Sequence, residues 1–261
     1  MATSVSFDPF SQSFTLITPN GPVSVTIPDL DDFASYNIEI CVNFGTQIGA
    51  SVVLLIVLLL LTKTNKRQSS IFIINTVSLI LNIIRNVLQC LYFTGPFSET
   101  YAYFGQDYSQ VQTKDYAMSV TATVLLFIVL CCVEASLCLQ VRVICVTIRQ
   151  LYRRFIFASS ILIALMAIGF HLVYMIENAE NIVRAVSQVP IEWLASTNNI
   201  VTSVSICWFC AVFVTKLGFA LNQRRKLGVG QFGPMQIIFI MGCQTLIVPG
   251  MCLLLWKHLR T

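Results

Sequence analysis

Six runs of mostly apolar residues, separated by short polar stretches, limit what this chain can fold into more than any other feature. They extend approximately over Ile40–Thr62, Ile71–Phe93, Ala117–Ile148, Phe155–Ile176, Ile200–Leu221 and Met235–Trp256. A helix needs about 20 such residues to cross the hydrocarbon core of a bilayer. At that depth no water is available to satisfy an open backbone, so helices are the expected form. With 56% hydrophobic and only 11% charged residues in 261, the chain carries more apolar surface than a soluble fold of its size can bury. The expected class is therefore an all-α polytopic membrane protein, with residues 1–39 as an N-terminal tail, 40–256 as the helical region and 257–261 as a short C-terminal end. The third run exceeds a simple span and is expected to tilt or to project. Residues 1–32 lack the basic start, apolar core and small-residue cleavage site of a secretory leader, so the first helix is expected to serve as its own insertion signal.

The charges give an orientation. Alternating the runs with the N-terminus outside places Asp8, Asp29, Asp31, Asp32, Glu39, Glu99, Asp107, Asp115, Glu177, Glu180 and Glu192 on the external side. The cytoplasmic side then receives Lys63, Lys66, Arg67, Arg142, Arg149, Arg153, Arg154, Lys216, Arg224, Arg225 and Lys226, eleven of the sixteen bases. The bases alone decide the topology, with the N-terminus out. Lys257 and Arg260 fall on the external side and fit this arrangement poorly. With the charges placed in this way a net charge of +4 does not imply nucleic acid, and the basic loop begun by Asn222-Gln223-Arg224-Arg225-Lys226 either fixes topology or contacts anionic lipid or a signalling partner. All ten cysteines lie in or at the edge of apolar runs, which reads as packing and not as a disulfide framework or a zinc site.

Outside the spans, Ser13–Thr18 and Val23–Ile27 alternate polar and apolar residues around Pro19-Asn20-Gly21-Pro22. That pattern predicts a short β-hairpin, the alternative being a disordered tail. A hairpin is marginal alone in water and would need to dock on a loop or on a partner chain. The segment Thr94–Tyr116 holds Phe97, Tyr101, Tyr103, Phe104, Tyr108 and Tyr116, either as interfacial anchors or as a platform for a peptide.

Within the spans, Glu134 and Arg85 are the ionisable residues that demand a partner. Either they pair and hold the inactive state, or each finds polar groups elsewhere, such as a hydrogen bond from Glu134 to a neighbouring helix. Gly45 and Gly49 form a small-residue face on the first helix, suited to a second copy of the chain or to packing within one copy. Pro249 is expected to kink the sixth helix about a turn beyond Gln244. His171 has no acidic residue near it in sequence, and the chain carries no H-E-x-x-H, Gly-x-Ser-x-Gly or P-loop. It is not expected to be an enzyme, and no cofactor or metal is expected.

These residues also carry a resemblance. Ile71-Phe72-Ile73-Ile74-Asn75, Val77-Ser78-Leu79, Glu134-Ala135-Ser136-Leu137 and Gln140-Val141-Arg142-Val143-Ile144 resemble helices 2 and 3 of the fungal alpha-factor mating pheromone receptors, the class D G-protein-coupled receptors. Lys216, Arg224-Arg225, Leu227-Gly228-Val229, Gln231-Phe232 and Cys243 to Pro249 are similar to the family's helix 5, third cytoplasmic loop and helix 6. The resemblance covers roughly residues 15–256. It implies a homodimeric plasma-membrane receptor that binds a secreted peptide pheromone in its external half and engages a heterotrimeric G protein.

On this resemblance Asn75, Gln140, Gln244 and Pro249 would govern the switch, beside Glu134, which its place within the membrane makes a switch candidate. Arg224, Arg225, Leu227 and Gly228 would serve G-protein coupling, and Gly45 and Gly49 the dimer. Gln47, Arg85, Gln89 and Tyr92 are candidate ligand contacts, with Gln47 standing where a basic residue is expected in the family's yeast members. The family has seven helices and a long cytoplasmic tail, whereas the sequence ends five residues after the sixth run. Six helices of a seven-helix receptor bundle are thus expected. Two other readings follow: a non-signalling partner that dimerises with full-length receptor, and a six-helix channel or transporter, for which neither a filter segment nor an internal repeat is found.

Overall fold

The computed structural model describes residues 8–19, 21–64, 67–147, 149–184 and 192–226, with the backbone alone for residues 9, 144, 147, 192 and 217–226. The chain is an all-α polytopic membrane protein with a small N-terminal hairpin. After a 3-10 turn at Pro9–Ser11 come strands β1 (Ser13–Thr18) and β2 (Gly21–Thr26). The helices are α1 (Ile27–Leu61), α2 (Ser70–Phe93), α3 (Thr100–Gly105), α4 (Thr113–Ile144), α5 (Gln150–Arg184) and α6 (Glu192–Lys226). Among the described residues five of these, all but α3, are long and apolar enough to cross a membrane. Their side chains support that reading, since Leu54, Ile56, Leu60, Leu162 and Leu165 all lie exposed, Leu60 by 77%. Only hydrocarbon covers such surface without cost. The apolar run Met235–Trp256 lies outside the described residues, as do Leu227, Gly228, Gln244, Pro249, Lys257 and Arg260.

Helix ends differ from the apolar runs because capping, not hydropathy, sets them. The helix expected from Ile40 starts at Ile27. Thr26 Oγ1 accepts the Asp29 amide at 3.4 Å and Asp29 Oδ2 accepts the Thr26 amide at 3.0 Å, a reciprocal capping box. A proline in the first turn suits a position whose amide would be unpaired anyway. The resulting 35-residue helix is about 52 Å long, well beyond the ~30 Å of a hydrocarbon core. At its other end Arg67 bonds the carbonyls of Leu59 (2.8 Å) and Thr62 (3.2 Å), closing two groups that the last turn leaves open. α2 is capped by Ser69 Oγ, which accepts the Phe72 amide at 3.3 Å. α5 continues past the apolar run to Arg184, where the Arg184 guanidinium pairs with Glu180 one turn back.

The strands pair antiparallel from Ser13↔Thr26 to Thr18↔Gly21, so β2 begins at Gly21, two residues before the expected Val23. Gly21 has φ +121°, a conformation reserved for glycine. Thr18 Oγ1 donates to the Gly21 carbonyl at 2.6 Å. The hairpin docks on α3, with Tyr101 Oη donating to the Ile17 carbonyl at 3.2 Å and Val25 buried.

The chain divides into two compact units, one of residues 1–129 and 175–188, the other of 130–174 and 189–261. In the first, α1 lies along α2, and Asn82 Nδ2 donates to the buried Ser51 Oγ at 2.9 Å. In the second, Val141, Cys145, Ala164, Phe209 and Phe213 form the buried apolar core. The eight described cysteines are all free thiols.

Candidate functional site

Two groups of side chains concentrate the polar and aromatic chemistry, one in each unit. In the first unit, Arg85, Gln89 and Tyr92 recur at the spacing that puts them on one face of α2. The guanidinium of Arg85 stands 5.3 Å over the Phe44 ring of α1, and its Nη1 donates to Asn86 Oδ1 at 2.9 Å. A cation over an aromatic face is stabilised by the ring quadrupole, more so when partly desolvated. Gln47, one turn after Phe44, is half-buried and donates to Asn43 Oδ1 at 3.2 Å. Gln89 is half-buried on the same face.

Tyr92 opens an aromatic patch at the hairpin end. It stacks on Phe97 with centroids 5.2 Å apart. Phe97 in turn meets Tyr116 at 5.0 Å and Tyr108 at 6.1 Å. Phe33 of α1 contacts Tyr103 at 4.5 Å and Phe104 at 5.6 Å. The stretch expected as a loop, Thr94–Tyr116, is thus largely built: a 3-10 turn at Pro96–Ser98, then α3, then a turn leading into α4. In that turn the Ser109 amide donates to Asp107 Oδ1 at 3.0 Å and holds the carboxyl below its ordinary range. Burial pushes the neighbouring Tyr108 hydroxyl upward, with the adjacent Tyr116 adding to the effect. Tyrosine and phenylalanine rings of this kind offer large contact area to a peptide at low entropic cost.

In the second unit the polar groups lie in the core. Glu134, 1% exposed, accepts a hydrogen bond from Ser205 Oγ of α6 at 2.8 Å. The neighbouring-helix alternative for Glu134 therefore has a named donor. Gln140 donates to Ser136 Oγ at 3.1 Å along α4. Trp208 Nε1 donates to Ser160 Oγ at 3.1 Å, and His171 Nδ1 lies 3.0 Å from Asn198 Oδ1. These side-chain hydrogen bonds tie α6 to both α4 and α5.

Several expected residues stand apart from both groups. Asn75 is half-buried on α2, in the half of the helix remote from Tyr92. Gly45 and Gly49 are exposed, and a Cβ on either would meet open space. Arg224 and Arg225 fall in the last turn of α6, where the backbone alone is described. Phe44, Phe33, Ser205 and Asn198 were not singled out from the sequence. For the α6 pair a signal existed, because Asn198, Thr202 and Ser205 repeat at helical spacing as a polar stripe inside an apolar run.

A family model described as fungal pheromone mating factor STE2 GPCR matches residues 7–259 of the chain. The chain is similar to the pheromone P-factor receptor of Schizosaccharomyces pombe, with 24% identity over 244 residues, covering 92% of this chain and 70% of that protein. It is 28% identical over 258 residues to the pheromone alpha factor receptor of Lachancea kluyveri, covering 96% of this chain and 59% of that one. With the pheromone alpha factor receptor of Saccharomyces cerevisiae it shares 30% identity over 253 residues, 95% of this chain and 57% of that protein. The chain thus spans less than two thirds of the two alpha factor receptors it matches.

Proposed function

From its place in the fungal pheromone mating factor STE2 family of G-protein-coupled receptors, to which this chain belongs, we propose that it is a plasma-membrane receptor for a secreted peptide pheromone. Its N-terminus faces the cell exterior, and it signals to a heterotrimeric G protein. The observation that carries the ligand reading is the aromatic patch of Tyr92, Phe97, Tyr108 and Tyr116, together with the rings around Phe33 and the Arg85–Phe44 pair. On this reading Gln47, Arg85, Gln89 and Tyr92 meet the peptide, and the rings of the Thr94–Tyr116 segment complete the surface. Asn75, Glu134, Gln140, Gln244 and Pro249 take part in the switch, and Arg224, Arg225, Leu227 and Gly228 in coupling. The open faces of Gly45 and Gly49 suit a second copy of the chain, with lipid covering the remaining helix surface.

The test is to express the chain in yeast cells lacking their own alpha factor receptor and to challenge them with a panel of synthetic pheromone peptides. A mating-response reporter should rise with one peptide, and Tyr92→Ala should weaken that response about tenfold through lost ring contact. Chain present at the cell surface with no response to any peptide would overturn signalling by this chain. Co-expression with a full-length receptor would then ask whether it damps the partner.

A further inference from the structure

Serines and threonines within helices commonly return their hydroxyl proton to a carbonyl one turn back. Thr46, Thr121, Thr123, Thr197, Ser203 and Thr215 do so here at 2.7–3.2 Å. Ser205 and Thr202 of α6 depart from that habit. Ser205 turns to Glu134 Oε1 at 2.8 Å. Thr202, three residues earlier on the same helix, has its Oγ1 buried with no hydrogen-bond partner among the described residues. Glu134 Oε2 is in the same condition. Each unpaired buried oxygen is costly. The two sit on helices already joined by the Ser205–Glu134 bond.

We infer that Thr202 and Ser205 are alternative docks for the Glu134 carboxyl, and that α6 shifts register against α4 by exchanging one hydroxyl for the other. Residues three apart on a helix share a face and differ by about 4.5 Å in height and about 60° in direction. The exchange is therefore a one-turn ratchet of the type by which packed helices switch. The two docks offer the same chemistry, which brings the two registers close in energy. Asn198–His171 at 3.0 Å and Trp208–Ser160 at 3.1 Å are made only in the observed register, and so favour it. Two hydrogen bonds thus hold the resting register against the Thr202 dock. The use of this ratchet in signalling rests on the receptor reading; the ratchet itself does not.

The experiment separates the two. Thermal unfolding of the purified full chain in nanodiscs is measured for S205A, T202V and the double variant, each with and without E134L. Alternative docks predict that S205A lowers the midpoint by only about 1–2 °C because Thr202 takes the carboxyl, that T202V, which removes a hydroxyl unpaired in the resting register, does not lower it, and that the double variant falls by about 5 °C, more than the sum. E134L should abolish these differences, and Glu134→Gln, which keeps an acceptor oxygen, should stay within about 1 °C of the parent. Additive losses, or losses that persist with E134L, would overturn the inference. In the reporter cells S205A should raise the basal signal and T202V should lower the peptide-driven one. If the unfolding pattern holds while no variant, nor the parent, answers any peptide, the receptor reading fails and the ratchet stands.

Discussion

At the hairpin end of the first unit the contacts are rings on rings, from Phe33 against Tyr103 to Phe97 against Tyr116, with one hydrogen bond from Tyr101 to the hairpin. In the core of the second unit the apolar cluster around Phe209 is threaded by side-chain hydrogen bonds, Glu134 to Ser205, Ser160 to Trp208 and His171 to Asn198. The difference is one of tolerance. Ring contacts keep much of their attraction as partners slide or tilt, because dispersion and offset stacking vary slowly with geometry. A hydrogen bond in an apolar surrounding is lost within an ångström or with a turn of the donor. One region is suited to accommodate a ligand and the other to occupy a few discrete arrangements.

That contrast can be broken by measurement. Phe209→Ala should cost about 3 kcal/mol in reversible unfolding of the purified chain, because its ring is fully enclosed. Phe97→Ala, half-buried in the patch, should cost about 1 kcal/mol. Equal losses would erase the distinction. Gly21→Val should weaken the hairpin by about 2 kcal/mol through its backbone alone, since φ is +121° and nothing lies within 4 Å of the added Cβ. Amide exchange across residues 13–26 would report it. Tyr101→Phe removes one neutral hydrogen bond to Ile17 and should cost about 1 kcal/mol in the same assay.

The smallest effect is expected at Asp107. Its carboxyl is depressed in the folded chain by the Ser109 amide, so that contribution is complete above its ordinary value of 3.8. It is lost as the pH falls from there through the folded value. Exchange protection at Ser109 should fall over that acidic range and be unaltered between neutral and mildly alkaline pH. The same loss in Asp107→Asn at neutral pH would tie the effect to this carboxylate.

The spans were legible because each is a long apolar run, and the hairpin because its strands alternate around a turn-rich tetrapeptide. The start of α1 was written in Thr26-Ile27-Pro28-Asp29, a capping box with a first-turn proline, but acidic residues after it disguised a helix extending beyond the apolar run. α3 was hidden for a related reason. Six residues, Thr100–Gly105, make too short a helix to show a period. Within the candidate ligand surface, Arg85, Gln89 and Tyr92 came from the family resemblance, and one helix carries them all. Phe44 could not be placed with them from the sequence, because its meeting with Arg85 depends on how α1 lies along α2.

The sequence by itself determined the solvent. Its apolar runs require hydrocarbon and its charges argue for an orientation, both through local composition, and its motifs resemble those of the fungal pheromone receptor family. Tertiary structure alone decided which polar groups face one another: Ser205 toward Glu134, Asn198 toward His171, Ser51 toward Asn82. The physical reason is that these partners lie on different helices, far apart in the chain. A rotation of one residue, about 100°, would carry any of these donors off its acceptor while leaving the hydropathy of both helices unchanged.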